Sequence, residues 1–193
     1  MRGRPAAYST QAVVEKAQKV FWKKGYTATS LEDLLAATGM GSGSFYNAFK
    51  GGKKELFKKA LHQRREAFAE FKEKLRASDT PLELVKDFFR SIAQADKPTH
   101  MRGCIIANAV VEMAALDKEL EDEAVTILKE TEALYTEAIA LAQKKGMLKN
   151  TTEPAILGRY LITLWNGINV TRRMYPDTSI LSQQIEMHLD ILR

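Results

Sequence analysis

Residues 29–57 read TSLEDLLAATGMGSGSFYNAFKGGKKELF, and this stretch decides the fold of the N-terminal part of the chain. Thr29 is suited to cap a first short helix, and Glu32 stands at the spacing of a capping box. Three leucines between positions 31 and 35 give that helix one apolar face. Residues 38–41 then break the pattern with two glycines, and residues 42–49 resume it as a second short helix.

Two short helices joined by a tight turn that contains glycine form a helix-turn-helix, whose second helix lies in the DNA major groove. Ser42, Ser44 and Asn47 are short polar residues on that second helix, and such side chains can read base edges or bind phosphates. The lysines that follow are placed to lie along a phosphate backbone. Thr29 and Ser30, at a helix N-terminus, can add a phosphate contact.

The spacing of this stretch resembles the N-terminal DNA-binding domain of the tetracycline-repressor (TetR) family over residues 9–60. The matching positions are Thr29, Ser30, Leu34, Gly39, Gly43, Phe45, Tyr46 and Phe49, followed by Lys53. The resemblance implies that Tyr46 donates to a phosphate. Together, the two lines of reasoning predict DNA contacts from Thr29, Ser30, Ser42, Ser44, Tyr46, Asn47, Lys50, Lys53 and Lys54.

The charge is divided unevenly along the chain. Residues 1–60 hold 11 Lys/Arg against 4 Asp/Glu, a net charge of +7, whereas the remaining residues carry a net charge of −2. The basic excess therefore lies entirely in the segment that carries the helix-turn-helix. This division is typical of a module that binds a polyanion and is attached to a nearly neutral body.

The composition excludes several classes of protein. There is no apolar run of about 18 residues, so no membrane association is expected. The N-terminus lacks the apolar segment of a secretory signal, and a single cysteine suits a reducing cytoplasm. With three histidines and one cysteine, no metal site is expected, and no cofactor is predicted.

Helical periodicity runs through the whole chain and predicts an all-α protein of about nine helices. Three belong to a DNA-binding domain at residues 1–52, and six form a ligand-binding and dimerisation domain at residues 53–193. The six helices of the body are predicted at residues 53–77, 81–95, 101–116, 117–145, 153–175 and 179–192, with a loop at residues 96–99.

The helices of the body mix aromatic, soft and polar residues, which indicates either an ordinary core or a ligand pocket. The pocket is predicted among Phe88, Met101, Cys104, Asn108, Glu112, Tyr160, Trp165 and Asn169. Asn108 and Glu112 share one face of the most apolar helix, because they lie four residues apart. Burying these two polar side chains requires partners, either each other or a ligand.

Catalytic and nucleotide-binding motifs are absent, so the chain is not expected to be an enzyme. His62, His100 and His188 are scattered along the sequence and are expected to be solvated. The resemblance implies a homodimer, formed by the last two helices, that binds a palindromic operator and is released by a small-molecule effector. Two alternatives stay open: sensing of oxidants or electrophiles through Cys104, and a helical binding protein or enzyme without DNA function.

Overall fold

The computed structural model describes residues 9–175 and 178–193, and within these ranges the chain is helical without a β-strand. The helices are α1 (Thr10–Lys24), α2 (Leu31–Thr38), α3 (Ser42–Ala48), α4 (Gly52–Ala67), α5 (Ala69–Ala77), α6 (Pro81–Ala93), α7 (Lys97–Arg102), α8 (Ile105–Met113), α9 (Lys118–Lys144), α10 (Pro154–Met174) and α11 (Ser179–Leu189). A short 3₁₀ turn, Asp190–Leu192, follows α11. The all-α prediction is confirmed, and two of the expected helices are each divided in two.

The cap of α2 lies one residue later than the sequence pattern indicated. Ser30 Oγ accepts a hydrogen bond from Asp33 N at 3.1 Å, and the Asp33 carboxylate accepts one from Ser30 N at 3.0 Å. Thr29 is fully buried, and its hydroxyl donates to the Gly25 carbonyl at 2.6 Å. The predicted capping box of Thr29 and Glu32 was therefore wrong, because the Thr29 hydroxyl is used inside the fold.

The long helix expected at residues 53–77 is interrupted at Phe68, which separates α4 from α5. The Phe68 amide donates to the Arg65 carbonyl at 3.0 Å, a tighter turn than the α-helical pattern. Its ring packs edge-on against Phe71 and Phe88, with centroids 5.5 and 5.6 Å away. The break directs the Phe68 ring into an aromatic cluster between α5 and α6.

The helix expected at residues 101–116 is likewise divided, at Gly103. This glycine has φ +70°, and a Cβ there would lie 3.2 Å from the Asn169 carbonyl oxygen on α10. Residues 96–99, expected to be a loop, instead begin α7, because the Asp96 side chain caps the Thr99 amide at 3.2 Å. A close approach of α10 and a positive φ both require glycine at this position.

The buried side chains form two groups. The first runs without interruption from α1–α4 into the first half of the body, and it includes Phe21, Leu34, Phe45, Phe57, Ile106, Met113 and Leu120. The second fills the space among α6, α9, α10 and α11 and includes Val85, Phe89, Tyr135, Leu161 and Ile185. The DNA-binding unit, by which we mean α1–α4, therefore packs directly on the body formed by the later helices. The predicted domain boundary after residue 52 stays a prediction.

Candidate nucleic-acid interface and ligand cavity

Helix α3 is anchored by aromatic residues and presents polar ones. Phe45 and Phe49 are 0% and 1% exposed, and they hold the helix against α1 and α2. Ser42, Ser44 and Asn47 are exposed, and their side chains have no hydrogen bond to any described residue. The polar face is therefore fixed in position by the core beneath it and is available to a partner.

Three further residues predicted to contact DNA lie on the same exposed surface. Tyr46 is 50% exposed, and its ring stands edge-on to Phe45 at 5.4 Å. Ser30 and Lys50 are exposed at the start of α2 and after the end of α3. Gly41 is the N-cap of α3 and provides no side-chain cap, so the first amides of this helix keep no side-chain acceptor.

The remaining three predicted contacts are engaged inside the chain. Thr29 is buried, as described above. Lys53 Nζ donates to the carbonyls of Tyr26 and Thr29 at 3.0 and 2.9 Å and lies 4.4 Å from the Tyr26 ring centroid. Lys54 is ion-paired at 2.8 Å with both Asp117 and Glu119. These three side chains hold the DNA-binding unit together or fasten it to the body.

Glu112 makes the most direct connection between the two units. Its carboxylate accepts hydrogen bonds from the backbone amides of Tyr26 and Thr27 at 2.9 and 2.7 Å, in the turn between α1 and α2. Gly25, in the same turn, has φ +82°, and a Cβ there would lie 3.0 Å from the carboxylate. Glu112 was predicted to face a ligand or to pair with Asn108, and the structure assigns its carboxylate to this turn instead.

Two more groups of contacts join the DNA-binding unit to the body. The Trp22 indole N–H on α1 donates to the Gly103 carbonyl between α7 and α8 at 3.1 Å. The Lys54 ammonium is hydrogen-bonded to Asp117 and Glu119 and lowers the pKa of both carboxyl groups. A change at the junction of α7 and α8 therefore reaches α1 through direct contacts.

A cavity of about 580 Å³ lies at this junction. Helices α1, α4, α6, α8, α9 and α10 all contribute to its wall, and its apolar lining includes Trp22, Phe68, Phe88, Ile92, Ile127, Leu134 and Trp165. The volume is in the range of small-molecule sites, which combine apolar walls with a few polar groups. Of the eight predicted ligand residues, the structure brings Phe88, Cys104 and Trp165 together here.

The other five predicted ligand residues do not line this cavity. Met101 is 39% exposed on the surface of α7. Tyr160 lines a smaller cavity of about 280 Å³ between α10 and α11. Asn169 is buried outside the lining, and its Oδ1 accepts a hydrogen bond from Arg172 at 2.7 Å. Asn108 is half-buried outside the cavity, and its side chain makes no hydrogen bond to Glu112 or to any other described residue.

The three histidines were predicted to be solvated, but His62 and His188 are only partly exposed, and His100 is buried. His62 lines the large cavity, with Nε2 2.5 Å from the Glu123 carboxylate. His100 is fully buried, and His188 Nδ1 lies 2.7 Å from the Tyr160 hydroxyl. Each histidine contacts a residue far away in the sequence, so the residues around it in the chain did not indicate these contacts.

The lining of the cavity also includes two arginines that were not among the residues predicted from the sequence. Arg172 follows Trp165 and Asn169 at helical spacing, so its place on the apolar stripe of α10 was a readable signal. Arg64 carried no such signal, because it stands among other charged residues of α4. Its guanidinium lies 5.0 Å from the Trp22 ring centroid, and burial lowers its pKa.

Cys104 lies where α8 begins, at the edge of the cavity. It is 7% exposed, and its Sγ accepts a hydrogen bond from the Ala107 amide at 3.5 Å as the N-cap of α8. No group of three or more side chains suited to a metal ion occurs in the described ranges. Within the same ranges, no helix has both the length and the apolar character needed to cross a bilayer.

Comparisons with known families match both parts of the chain. Residues 13–60 match the family model described as bacterial regulatory proteins, tetR family. Residues 81–187 match the model described as tetracyclin repressor-like, C-terminal domain. The two matches leave out residues 61–80, which hold the second half of α4 and the whole of α5, and the two ends of the chain.

Individual relatives and solved structures span nearly the full length. The HTH-type transcriptional repressor DhaR of Mycobacterium sp. (strain GP1) is 26% identical over 187 residues, covering 94% of this chain and 91% of DhaR. The uncharacterized regulator YezE of Bacillus subtilis (strain 168) is 28% identical, covering 98% and 99%. A cysteine mutant of the regulator CifR, complexed with 26bp double-strand operator DNA, has the same fold, with a TM-score of 0.79 at 24% identity and coverages of 97% and 98%.

Proposed function

Since the chain belongs to the TetR family of DNA-binding transcriptional regulators, we propose that it is a repressor that binds a palindromic operator as a homodimer and leaves it when a small-molecule effector enters the large cavity. The relatives are regulators, not enzymes, and DhaR, among them, is a repressor. The observation that carries the proposal is the exposed polar face of α3, which the buried rings of Phe45 and Phe49 hold in position.

Six exposed residues are proposed to contact the operator: Ser30, Ser42, Ser44, Tyr46, Asn47 and Lys50. Asn47 can read a base edge, because an amide offers a donor and an acceptor side by side. Tyr46 and Lys50 lie at the margin of α3 and suit phosphates, which fix position without reading sequence. Lys53 and Lys54 are left out, because their ammonium groups are already satisfied within the chain.

Selection of operator sequences from random duplexes, followed by fluorescence anisotropy, tests these roles. Asn47→Ala is expected to relax the preference at particular base pairs by about 1–3 kcal/mol, whereas Tyr46→Phe weakens all sequences alike. An Asn47→Ala variant that loses the same affinity on every sequence rules out base reading by this residue.

The proposed dimer uses the outer faces of α10 and α11. The exposed positions of α10 are Ala155, Ile156, Arg159, Thr163, Gly167, Val170, Arg173 and Met174. Ile156, Arg159, Thr163, Gly167, Val170 and Met174 recur every three or four residues and so form one stripe. Ile180 and Met187 on α11 are 63% and 68% exposed. Small and apolar residues in such a stripe suit a four-helix interface, which would set two α3 helices roughly 34 Å apart.

Val170→Asp tests the dimer without disturbing the fold of the single chain, because Val170 is 64% exposed. Sedimentation should give a folded monomer with strongly reduced operator affinity. Val111→Asp on α8 is the matched control, since Val111 is 80% exposed on another surface. Leu161 is fully buried, so Leu161→Glu would unfold the chain instead of testing its assembly. A monomeric wild type that binds its operator tightly refutes the proposal.

Effector release is supported by the position of the cavity. Trp22 belongs to α1 and lines the cavity, and the junction of α7 and α8 forms another part of the wall. A ligand that displaces this junction also acts on α8, whose Glu112 carboxylate holds the turn between α1 and α2. Ligand binding can thereby favour a state in which the two α3 helices no longer match the operator.

Sensing through Cys104 is the competing form of the same switch. The thiol lines the cavity, so a reactive molecule that enters would meet it, yet only 7% of the residue is exposed. Operator release by hydrogen peroxide and N-ethylmaleimide should be compared between the wild type and Cys104→Ser. Release that vanishes in Cys104→Ser supports covalent sensing, and release that persists shows that the cysteine is not required.

A further inference from the structure

Two arginines line the large cavity without an acidic partner. Arg172 is 5% exposed, its Nη2 donates to the Asn169 side chain at 2.7 Å, and its buried Nε has no hydrogen-bond partner among the described residues. Arg64 is half-buried over the Trp22 ring and forms no ion pair with any described residue. Buried charges are normally paired, because removing them from water costs several kcal/mol.

The carboxylates at the cavity do not compensate these charges. The Glu130 carboxylate forms a bidentate ion pair with the Arg65 guanidinium. Glu123 is held by His62 at 2.5 Å and Lys58 at 3.7 Å. Glu66 is exposed, and the half-buried Lys72 adds another cation without an ion pair in the described part of the chain. The lining of the cavity therefore has an excess of positive charge.

The two unpaired guanidinium groups belong to the lining of the same cavity. Burial lowers the pKa of both Arg64 and Arg172. Cys104 caps α8, so the N-terminus of that helix adds a further positive potential at the cavity. Other parts of the lining are aromatic and aliphatic, and the Phe88 and Trp165 rings are in contact at 5.3 Å between centroids.

We propose that the effector is a small organic carboxylate with an apolar body. Its carboxylate lies between Arg64 and Arg172 beside Cys104, and its body packs against Phe88 and Trp165. Planar guanidinium groups match a carboxylate with paired, charge-assisted hydrogen bonds, and such bonds gain strength where water is excluded. This assignment rests on the proposed function, because it names the ligand class of the same cavity.

The test compares carboxylates with neutral amides of the same shape. Binding of trans-cinnamate and trans-cinnamamide, and of the straight-chain acids from acetate to decanoate with their amides, is measured by calorimetry on the full chain. Each carboxylate that fits should bind at least about tenfold more tightly than its amide, because a hydrogen bond to a charged group exceeds a neutral one. The same acids should raise the melting temperature, and the amides should do so less.

Arg172→Gln and Arg64→Gln should each bring the ratio of acid to amide affinity severalfold closer to one. Lys129→Gln removes an exposed charge elsewhere on α9 and should leave the ratio within about twofold. Arg172→Lys keeps the charge but cannot form bidentate hydrogen bonds, so its ratio of acid to amide affinity should lie between those of the wild type and Arg172→Gln. Because Arg64 is half-buried, its variant keeps the test open even if Arg172→Gln is poorly folded.

Amides that bind as tightly as their acids overturn the assignment, as does an acid preference unchanged in both arginine variants. It is also overturned if no carboxylate of the series binds up to about 10 mM, weaker than any useful effector site. Operator release, measured separately by anisotropy, distinguishes the two proposals. Carboxylates that bind through the arginines without releasing DNA refute the proposed switch alone, and release by a neutral compound with no acid preference refutes the carboxylate assignment alone.

Discussion

Replacing Glu112 by alanine removes the carboxylate that joins α8 to the turn between α1 and α2. Two charge-assisted hydrogen bonds are lost, to the amides of Tyr26 at 2.9 Å and Thr27 at 2.7 Å. Such bonds contribute about 1.5–3 kcal/mol each when buried. Thr27 is exposed, so its amide will bind water in the variant, whereas Tyr26 is half-buried. We therefore expect a total loss of about 2 kcal/mol in the free energy of unfolding.

The ion pairs beside this contact should matter less. Lys58 lies 3.0 Å from Glu119 and 3.7 Å from Glu123, and the Lys58 and Glu119 side chains are 35% and 57% exposed. Exposed pairs contribute about 0–1 kcal/mol and are screened by salt. In about 1 M NaCl, where the Debye length is about 3 Å, Lys58→Met should cost almost nothing, and Glu112→Ala should keep most of its effect.

The assay uses the two tryptophans, one in each unit. In a Trp165→Phe background, Trp22 alone reports on α1, and its urea transition should move to lower concentration in Glu112→Ala. Amide hydrogen exchange at Tyr26 and Thr27 should also accelerate, because the two donors lose their acceptor. Glu112→Gln keeps one acceptor oxygen at the same reach and should lose about half as much.

Two outcomes would refute this reasoning. If Glu112→Ala costs less than about 0.5 kcal/mol, the carboxylate is solvated and does not connect the two units. If Lys58→Met costs as much as Glu112→Ala in high salt, the ion pairs carry the connection instead. Faster exchange at Tyr26 in the Lys58 variant alone would lead to the same conclusion.

Substitutions at three other positions should change the free energy of unfolding in a defined direction. Tyr135 is fully buried, and its hydroxyl has no hydrogen-bond partner among the described residues, so Tyr135→Phe should raise the free energy of unfolding by up to about 1 kcal/mol. Tyr160→Phe loses a 2.7 Å hydrogen bond to His188 and should lower the free energy of unfolding by about as much. Urea titrations that give the reverse order contradict this expectation. A hydrogen bond from Lys24 lowers the pKa of Asp33 to about 2 from an ordinary 3.8. The stability that Asp33 contributes is therefore present above about pH 4 and is lost as the pH falls toward 2, so Asp33→Asn should flatten the acid limb of a circular dichroism titration.

Local patterns predicted the helices well and failed where two neighbouring residues carried the same signal. Thr29 and Ser30 are adjacent hydroxyl residues, and each is followed three positions later by an acid. The sequence offers no reason to choose between these two capping boxes. The choice depends on the burial of Thr29 and on its bond to the Gly25 carbonyl, both of which require the folded turn.

The ligand cavity was only partly predictable, because its walls come from distant parts of the chain. Of the ligand residues predicted from the apolar and aromatic pattern of the body, Phe88, Cys104 and Trp165 line the large cavity. Glu112 was assigned wrongly, since its partners lie 85 and 86 residues earlier in the chain. Periodicity identifies the buried face of a helix, but it does not say which neighbour that face meets.

The position of Trp22 explains how a short path can connect an effector with α3. Its ring lies between two cations, with the Arg64 and Arg102 guanidinium groups 5.0 and 5.1 Å from the ring centroid. An anion that pairs with Arg64 weakens one of these contacts, while the indole N–H stays bonded to the Gly103 carbonyl. Since α1 shares one continuous core with α3, we expect a rotation at Trp22 to displace α3 as well. Trp22→Phe keeps an aromatic ring without the N–H, so it should bind the carboxylate yet respond more weakly in operator release; an undiminished response would show that the signal takes another path.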